Sequence, residues 1–275
     1  MKKMKIIFFL FIPLILLTFS CEKNTVTVEL ETEGVTMKNL KKLEEKSIFF
    51  GHKSVGDNIL SGVESILKDF PETKISIRKV ETVKSTDIEK AVILHSYIGE
   101  NTKPISKFNQ FKEIVETSVG GNCDIIFMKL CYVDITENTN PQKIFNEYKD
   151  MVEELKTKYP ETSFVHLTVP LTSQAKGLKP LAKRILGKNV RGYKDNQVKE
   201  QYNTLLREEY EKEGNLFDLA YFESVAPDGK RTVHEMEGIT YYSLVPEYTY
   251  DGGHLNEEGS IYIAEKLLHF LVGLN

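Results

Sequence analysis

From Leu40 onward the apolar positions of the chain switch repeatedly between helical spacing and short buried or alternating runs. Leu40 and Leu43 suggest a short helix, and Ser47–Phe50 reads as a short buried strand ending at Gly51. Ile59, Leu60, Val63, Ile66 and Leu67 then recur at helical spacing across 58–70, and Pro71 stops them. The same reading gives strands at 74–80, 91–98, 124–133, 163–169 and 216–221. Helices are expected over 105–119, 141–159, 194–213 and 257–272, with Asn256 placed to cap the last one. Two stretches break the rhythm. Residues 172–191 are basic and punctuated by Gly and Pro; residues 226–250 are rich in Tyr, Thr and Gly and suit a hairpin.

Strands that alternate with helices imply a mainly parallel sheet covered on both faces, an α/β domain. Ligands of such sheets lie at the carboxyl ends of the strands. The residues just past each strand therefore carry the candidate chemistry, and the two irregular stretches become candidate rims of a site.

The first twenty residues belong to a different kind of segment. Lys2, Lys3 and Lys5 precede an apolar run from Ile6 to Leu17, and Thr18-Phe19-Ser20-Cys21 follows. A basic start, a short apolar core and a small residue before the cut describe a secretory signal, residues 1–20. Its run is too short for a comfortable membrane span. The Cys after a small residue resembles the lipobox of bacterial lipoproteins, with Thr18 where Leu is preferred; that resemblance makes Cys21 the lipidated mature N-terminus. Polar residues 22–36 then read as a tether, and residues 37–275 as the single folded domain. The expected location is the cell envelope, held at the membrane through Cys21.

Composition narrows the function classes. A hydrophobic content of 41% with 28% charged residues excludes a disordered or fibrous chain. Without residues 1–20 the chain keeps 33 basic and 40 acidic residues, a net charge of −7. That balance argues against nucleic acid as a partner and, taken over the whole chain, offers no basic patch for anionic lipid. Cys123 and Cys131 are too few for a disulfide scaffold and read as small apolar core residues. No Cys/His spacing resembles a metal site, and no organic cofactor is implied.

Two clusters carry chemistry. Phe49-Phe50-Gly51-His52-Lys53-Ser54-Val55-Gly56 takes a buried strand through a turn into a helix. A Ser there sits at the sheet's carboxyl edge, and its own N–H can face a developing oxyanion; an ordinary helix cap is the competing explanation. Tyr250-Asp251-Gly252-Gly253-His254-Leu255-Asn256 precedes the last helix. A Ser hydroxyl needs a base, His is the usual one, and its second ring nitrogen needs an acceptor such as Asp251.

A Ser just after the first strand and an Asp-x-x-His just before the last helix resemble the SGNH (GDSL-type) hydrolases, over about residues 47–271. That resemblance implies a flavodoxin-like three-layer α/β/α sandwich. It implies Ser54 as nucleophile, His254 as base and Asp251 as its orienting partner. Ile98-Gly99-Glu100-Asn101-Thr102 looks like the family's second block, so the oxyanion would rest on the N–H groups of Ser54 and Gly99. Two blocks depart from the pattern. The first reads Gly-His-Lys-Ser-Val-Gly, which places the Ser one residue late. In the third, Leu130-Cys131-Tyr132-Val133-Asp134, Val133 stands where an Asn normally donates to the oxyanion. Losing one such donor costs about 10²–10³ in rate. Lys129, Asn101 and Asn58 are candidate substitutes, and Asp134 suits a structural role. His52, Asn101 and Lys129 are candidate substrate contacts; the alternative for His52 is to satisfy backbone groups around the turn.

The leading expectation is an esterase that removes acetyl groups from a carbohydrate. The alternatives are an O-acetyltransferase on the same site, or a catalytically weak carbohydrate-binding protein on the same scaffold.

Overall fold

A computed structural model of the chain describes residues 24–27, 34–82, 88–186, 188–236 and 238–274. The expected signal segment 1–20 and the expected lipidation site Cys21 lie outside these residues.

The central sheet has six strands, all parallel: β2 (Ser47–His52), β3 (Ser76–Lys79), β4 (Val92–Tyr97), β5 (Ile125–Met128), β6 (Ser163–Leu167) and β7 (Leu216–Phe217), in the order β3-β4-β2-β5-β6-β7. Set aside the edge strand β3 and this is the flavodoxin-like order. Alternation within β2 explains the layering. Ile48 and Phe50 point into one core, formed with α1 (Met37–Leu43), α2 (Val55–Lys68), α7 (Leu219–Ser224) and α8 (Glu257–Gly273). Phe49 points into the other, formed with α3 (Pro104–Ile114), α4 (Pro141–Lys158) and α6 (Lys194–Tyr210). A sheet apolar on both faces must be covered on both, which gives the expected three layers.

After β2 the chain leaves through α2 toward the β4 side, while the connection from β4 through α3 crosses to β5 on the other side of β2. The carboxyl end of β2 is thus the topological switch point, where a crevice opens. Ser54 sits there.

Several expected elements shorten or change. The strand predicted to run to Val133 ends at Met128, because residues 129–134 turn to hydrogen-bond their own side chains. The strand expected over 216–221 is only Leu216–Phe217; the Asp218 carboxylate caps α7 by accepting from the N–H of Tyr221. Residues 226–250 do contain a hairpin, β8 (Lys230–Met236) with β9 (Ile239–Tyr241). The basic stretch 172–191 contains a helix, α5 (Leu178–Ile185). The tether reading is corrected at one point: Asn24–Thr27 forms β1, an antiparallel edge strand on β8. Cys123 and Cys131 are buried free thiols, as expected. No helix among the described residues is long and apolar enough to cross a membrane.

Candidate active site

The turn after β2 carries the key strain. Ser54 has φ 58° and ψ −108°, one of three non-glycine residues with positive φ among the described residues. That conformation costs about 1–3 kcal/mol and persists only where its surroundings impose it. It lifts the hydroxyl out of the turn at the start of α2, as the nucleophile elbow of α/β-hydrolases does. Gly56 makes the tight turn possible, since a Cβ there would lie 2.4 Å from Cβ of His52.

The two clusters, 200 residues apart, meet at this point: Ser54 Oγ lies 2.5 Å from His254 Nε2. His254 Nδ1 lies 2.6 Å from Asp251 Oδ2. The other carboxylate oxygen, Oδ1, accepts the N–H groups of Gly253 and His254, each at 2.8 Å. Burial pushes the Asp251 carboxyl up, but the His254 side chain and these two N–H donors outweigh it and hold it at about 2. Asp251 is therefore a carboxylate at every working pH. Around the pair, Gly252 N–H donates to Thr249 Oγ1 at 2.8 Å, Arg191 Nη1 donates to the Asp251 carbonyl at 2.5 Å, and Asn58 Oδ1 accepts the N–H of Leu255 at 3.2 Å. This order, hydroxyl to imidazole to carboxylate, is the geometry of a serine nucleophile with its general base.

The oxyanion side departs from expectation. Ser54 N–H makes no hydrogen bond with any described residue and stands at the start of α2, where helix dipole and N–H both favour negative charge. The N–H of Gly99, by contrast, donates to Gln110 Oε1 on α3 at 2.6 Å, which removes it as a second donor in this structure. Asn58 accepts the N–H of Leu255 through its carbonyl oxygen, as above, a bond that fixes the side chain and leaves its amide N–H groups uncommitted by it. Asn101 is exposed and accepts from Lys107 Nζ at 3.0 Å, so it is tied to α3 and makes no hydrogen bond to the triad.

Lys129 and His52 are corrected as substrate contacts. Lys129 is 1% exposed, with Nζ donating to the Leu130 carbonyl at 3.3 Å; burial pushes its pKa down. His52 is fully buried, and it satisfies another imidazole where backbone groups were expected: its Nε2 lies 3.0 Å from His95 Nδ1. Burial, with Lys129 and His95 nearby, brings His52 down to about 2, so it is neutral. The strand pleat is the reason. His52 shares a face with Ile48 and Phe50, under α2, while Ser54 lies past the turn above it.

Asp134 has the structural role expected. Its buried carboxylate accepts from Lys107 Nζ (2.5 Å), Cys131 N–H (2.6 Å) and Thr102 N–H (2.8 Å), joining the two loops that follow β4 and β5. Sequence reasoning missed Tyr132, whose hydroxyl lies 3.4 Å from His254 Nδ1 and whose ring meets the imidazole edge to face. Gly253 leaves it room: a Cβ there would lie 2.6 Å from Tyr132 Cζ. Its place just past the most apolar strand was the available signal. The exposed Tyr250 ring stacks on His254 from outside, at 6.1 Å and 11°. Beside it a groove of about 440 Å³ runs between α2 and α8, lined chiefly by Asn58, Ser61, Ser65, Tyr250, Asn256 and Ser260. No group of His, Cys, Asp and Glu among the described residues could hold a metal ion.

The family model of the GDSL-like lipase/acylhydrolases matches residues 47–267. No curated protein matches the chain. Among solved structures, a candidate platelet activating factor from Streptococcus pneumonia is 17% identical at a TM-score of 0.47, covering 85% of this chain and 91% of that one. A lipolytic protein of the G-D-S-L family from Veillonella parvula is 14% identical at a TM-score of 0.44, covering 82% and 98%. The periplasmic domain of a Salmonella lipopolysaccharide acetyltransferase is 11% identical at a TM-score of 0.45, covering 87% and 90%.

Proposed function

The chain belongs to the GDSL-like lipase/acylhydrolase family, and from that membership, the Ser54-His254-Asp251 geometry and the signal-like first twenty-one residues we propose that it is an exported, lipid-anchored serine esterase that removes acetyl groups from a carbohydrate. The observation that carries the reading is the unbroken path from Ser54 Oγ to His254 and on to the Asp251 carboxylate, with links of 2.5 and 2.6 Å.

In the reaction, Ser54 Oγ attacks the ester carbonyl carbon while its proton passes to His254 Nε2. Asp251 holds the imidazole with its proton on Nδ1, so Nε2 is the acceptor, and stabilises the imidazolium that forms. The tetrahedral oxyanion rests on the Ser54 N–H at the start of α2. Collapse breaks the bond to the alcohol oxygen, which leaves with the proton from His254. Water, deprotonated by the same nitrogen, then attacks the acyl-serine and releases the carboxylic acid and Ser54. With the Gly99 N–H committed to Gln110 and Val133 in place of an Asn, each donor missing predicts a rate reduced by about 10²–10³.

Water fits the acceptor role because the His254 side chain is 29% exposed beside the nucleophile, so solvent reaches the base. The groove beside Tyr250 favours a carbohydrate: serine hydroxyls and the Asn58 and Asn256 amides line it together with Leu255, Glu257 and Ile261, and the exposed Tyr250 ring borders it. Such a surface suits the hydroxyls and the flat faces of sugar rings.

The test is acetate release from p-nitrophenyl acetate and from an acetylated polysaccharide by residues 22–275, beside Ser54→Ala and His254→Ala. Activity that both substitutions abolish is expected. Turnover that survives Ser54→Ala refutes the serine mechanism. Acetate that moves to a soluble sugar in place of water makes the protein a transferase.

A further inference from the structure

Between Lys176 and Arg191 stand Lys176, Lys179, Lys183, Arg184, Lys188 and Arg191, with no acidic residue among them, in a chain of net charge −4. The charge balance of the whole chain concealed this local basic segment. Its middle is helix α5. At about 100° per residue, positions 178, 182 and 186 fall within one arc of roughly 80°, a single face. Leu178 is 85% exposed and Leu186 is 71% exposed; no other large aliphatic side chain among the described residues is so open to solvent. Lys176, Lys179, Lys183 and Lys188 are exposed as well. The two leucines share that face with Ala182, which makes a short exposed apolar strip set among lysines.

The helix is fastened to the active site at both ends. Ser173 N–H donates to the Gly252 carbonyl at 2.9 Å, Ala175 N–H donates to the Arg191 carbonyl at 3.1 Å, and Arg191 reaches the Asp251 carbonyl, as described above. Gln174 Nε2 donates to the Tyr241 hydroxyl on β9 at 3.2 Å. That strand belongs to the sheet whose edge is β1, the first described element after Cys21. Helix, catalytic loop and the strand that begins the chain's described part are thus joined through one hairpin.

We propose that α5 is a membrane-docking helix. It lays its leucine face into the interface of an anionic lipid bilayer, its lysines meet the headgroups, and the rim of the active site is held at the membrane surface. Charge complementarity selects this occupant: a leucine strip flanked by lysines without acids matches an apolar layer under a negative one. Lysine stems can lie along the apolar layer while their ammonium groups stay in the headgroup region. The exposed Tyr250 on the adjoining catalytic loop is the kind of side chain that settles at such a boundary.

The chain contains no tryptophan, so Leu186→Trp creates a single reporter. The protein used begins at Glu22, which retains every described residue and both cores and removes the lipidation site. It is mixed at low salt with vesicles of phosphatidylcholine, or of phosphatidylcholine with phosphatidylglycerol, and followed by tryptophan emission and co-sedimentation. Emission should shift to the blue, and protein should sediment, only with the anionic vesicles. Lys179→Glu with Lys183→Glu should lower partitioning at least about 25-fold, about fivefold for each lysine reversed. Leu178→Ser should reduce the blue shift and leave p-nitrophenyl acetate turnover unchanged, which also reports an intact fold. No binding, equal binding to neutral vesicles, or binding indifferent to the lysine reversal would overturn the proposal. The readout is binding, so it stands or falls separately from the esterase reading.

Discussion

Replacement of Asp251 by Asn tests the relay at its most informative point, because the structure dictates how the amide must sit. Oδ1 of Asp251 accepts two backbone N–H groups, from Gly253 and His254, and Oδ2 accepts from His254 Nδ1. An amide has one oxygen. With that oxygen kept on the two backbone donors, its NH₂ group faces Nδ1. The imidazole can then only accept at Nδ1, so its proton moves to Nε2. In that tautomer Nε2 donates where it must accept, and Ser54 loses its base. A wrong tautomer in a triad costs about 10⁴ in kcat, or about 5.5 kcal/mol of transition-state stabilisation. The opposite placement of the amide would set its NH₂ against two N–H donors and open the catalytic turn, with the same loss. The assay is kcat and KM for p-nitrophenyl acetate from pH 6 to pH 9, with thermal melting as a control. KM should change little, since the loop keeps its shape, and the melting temperature should fall modestly at these pH values, because the amide lacks the carboxylate's charge-assisted hydrogen bonds. At acid pH the wild type behaves differently from the variant. The Asp251 carboxyl is lowered from 3.8 to about 2, so its contribution to stability is complete above about pH 4 and is lost as pH falls toward 2. The variant lacks that acid dependence. A loss of kcat below tenfold would refute the relay as described.

Three further outcomes are expected. Ser54→Gly abolishes activity yet melts higher than Ser54→Ala, because glycine relieves the positive φ of 58° that costs about 1–3 kcal/mol in other residues; equal melting temperatures would mean the turn is not strained. Lys107→Met leaves the buried Asp134 carboxylate without its cation and destabilises by about 3–5 kcal/mol in denaturant titration, with partial recovery in Lys107→Met/Asp134→Asn; a loss under about 1 kcal/mol would contradict the pairing. Glu223 is buried, and that burial raises its carboxyl to about 8 against the hydrogen bond from Leu171 N–H and the charges of Lys129 and Lys199. The folded state then holds a proton that the unfolded state releases above about pH 4.5, so stability falls as pH rises from there to about 8. Glu223→Gln should flatten that slope, measured as the midpoint of urea unfolding at several pH values; an unchanged slope would place its origin elsewhere.

The sequence by itself determined the α/β class and the site's edge of the sheet, and it offered Ser54, His254 and Asp251 as the candidate nucleophile, base and orienting acid. These follow from local causes. Apolar period reports which face of an element is buried, and chemistry restricts which side chains can serve as nucleophile, base and orienting acid. Ser54, His254 and Asp251 were legible as a set because a Ser at the start of α2 and an Asp-x-x-His just before α8 together resemble the SGNH pattern, where either cluster alone also suited an ordinary cap or turn. What only the tertiary structure decided is who meets whom. His52 stands two residues from Ser54, yet the pleat of β2 sends it under α2 to His95. Lys129 follows the strongest strand and is buried, so it cannot touch substrate. Gly99 sits where a second oxyanion donor is expected, and Gln110, eleven residues on, takes its N–H. Tyr132 and Arg191 reach the catalytic turn from loops 122 and 60 residues away in sequence. Residues 24–27, polar enough to read as tether, find a partner strand in β8, more than 200 residues later. The physical reason is common to these cases: burial and hydrogen-bond partnership depend on where distant segments pack, and neither is recorded in the spacing of residues along one element.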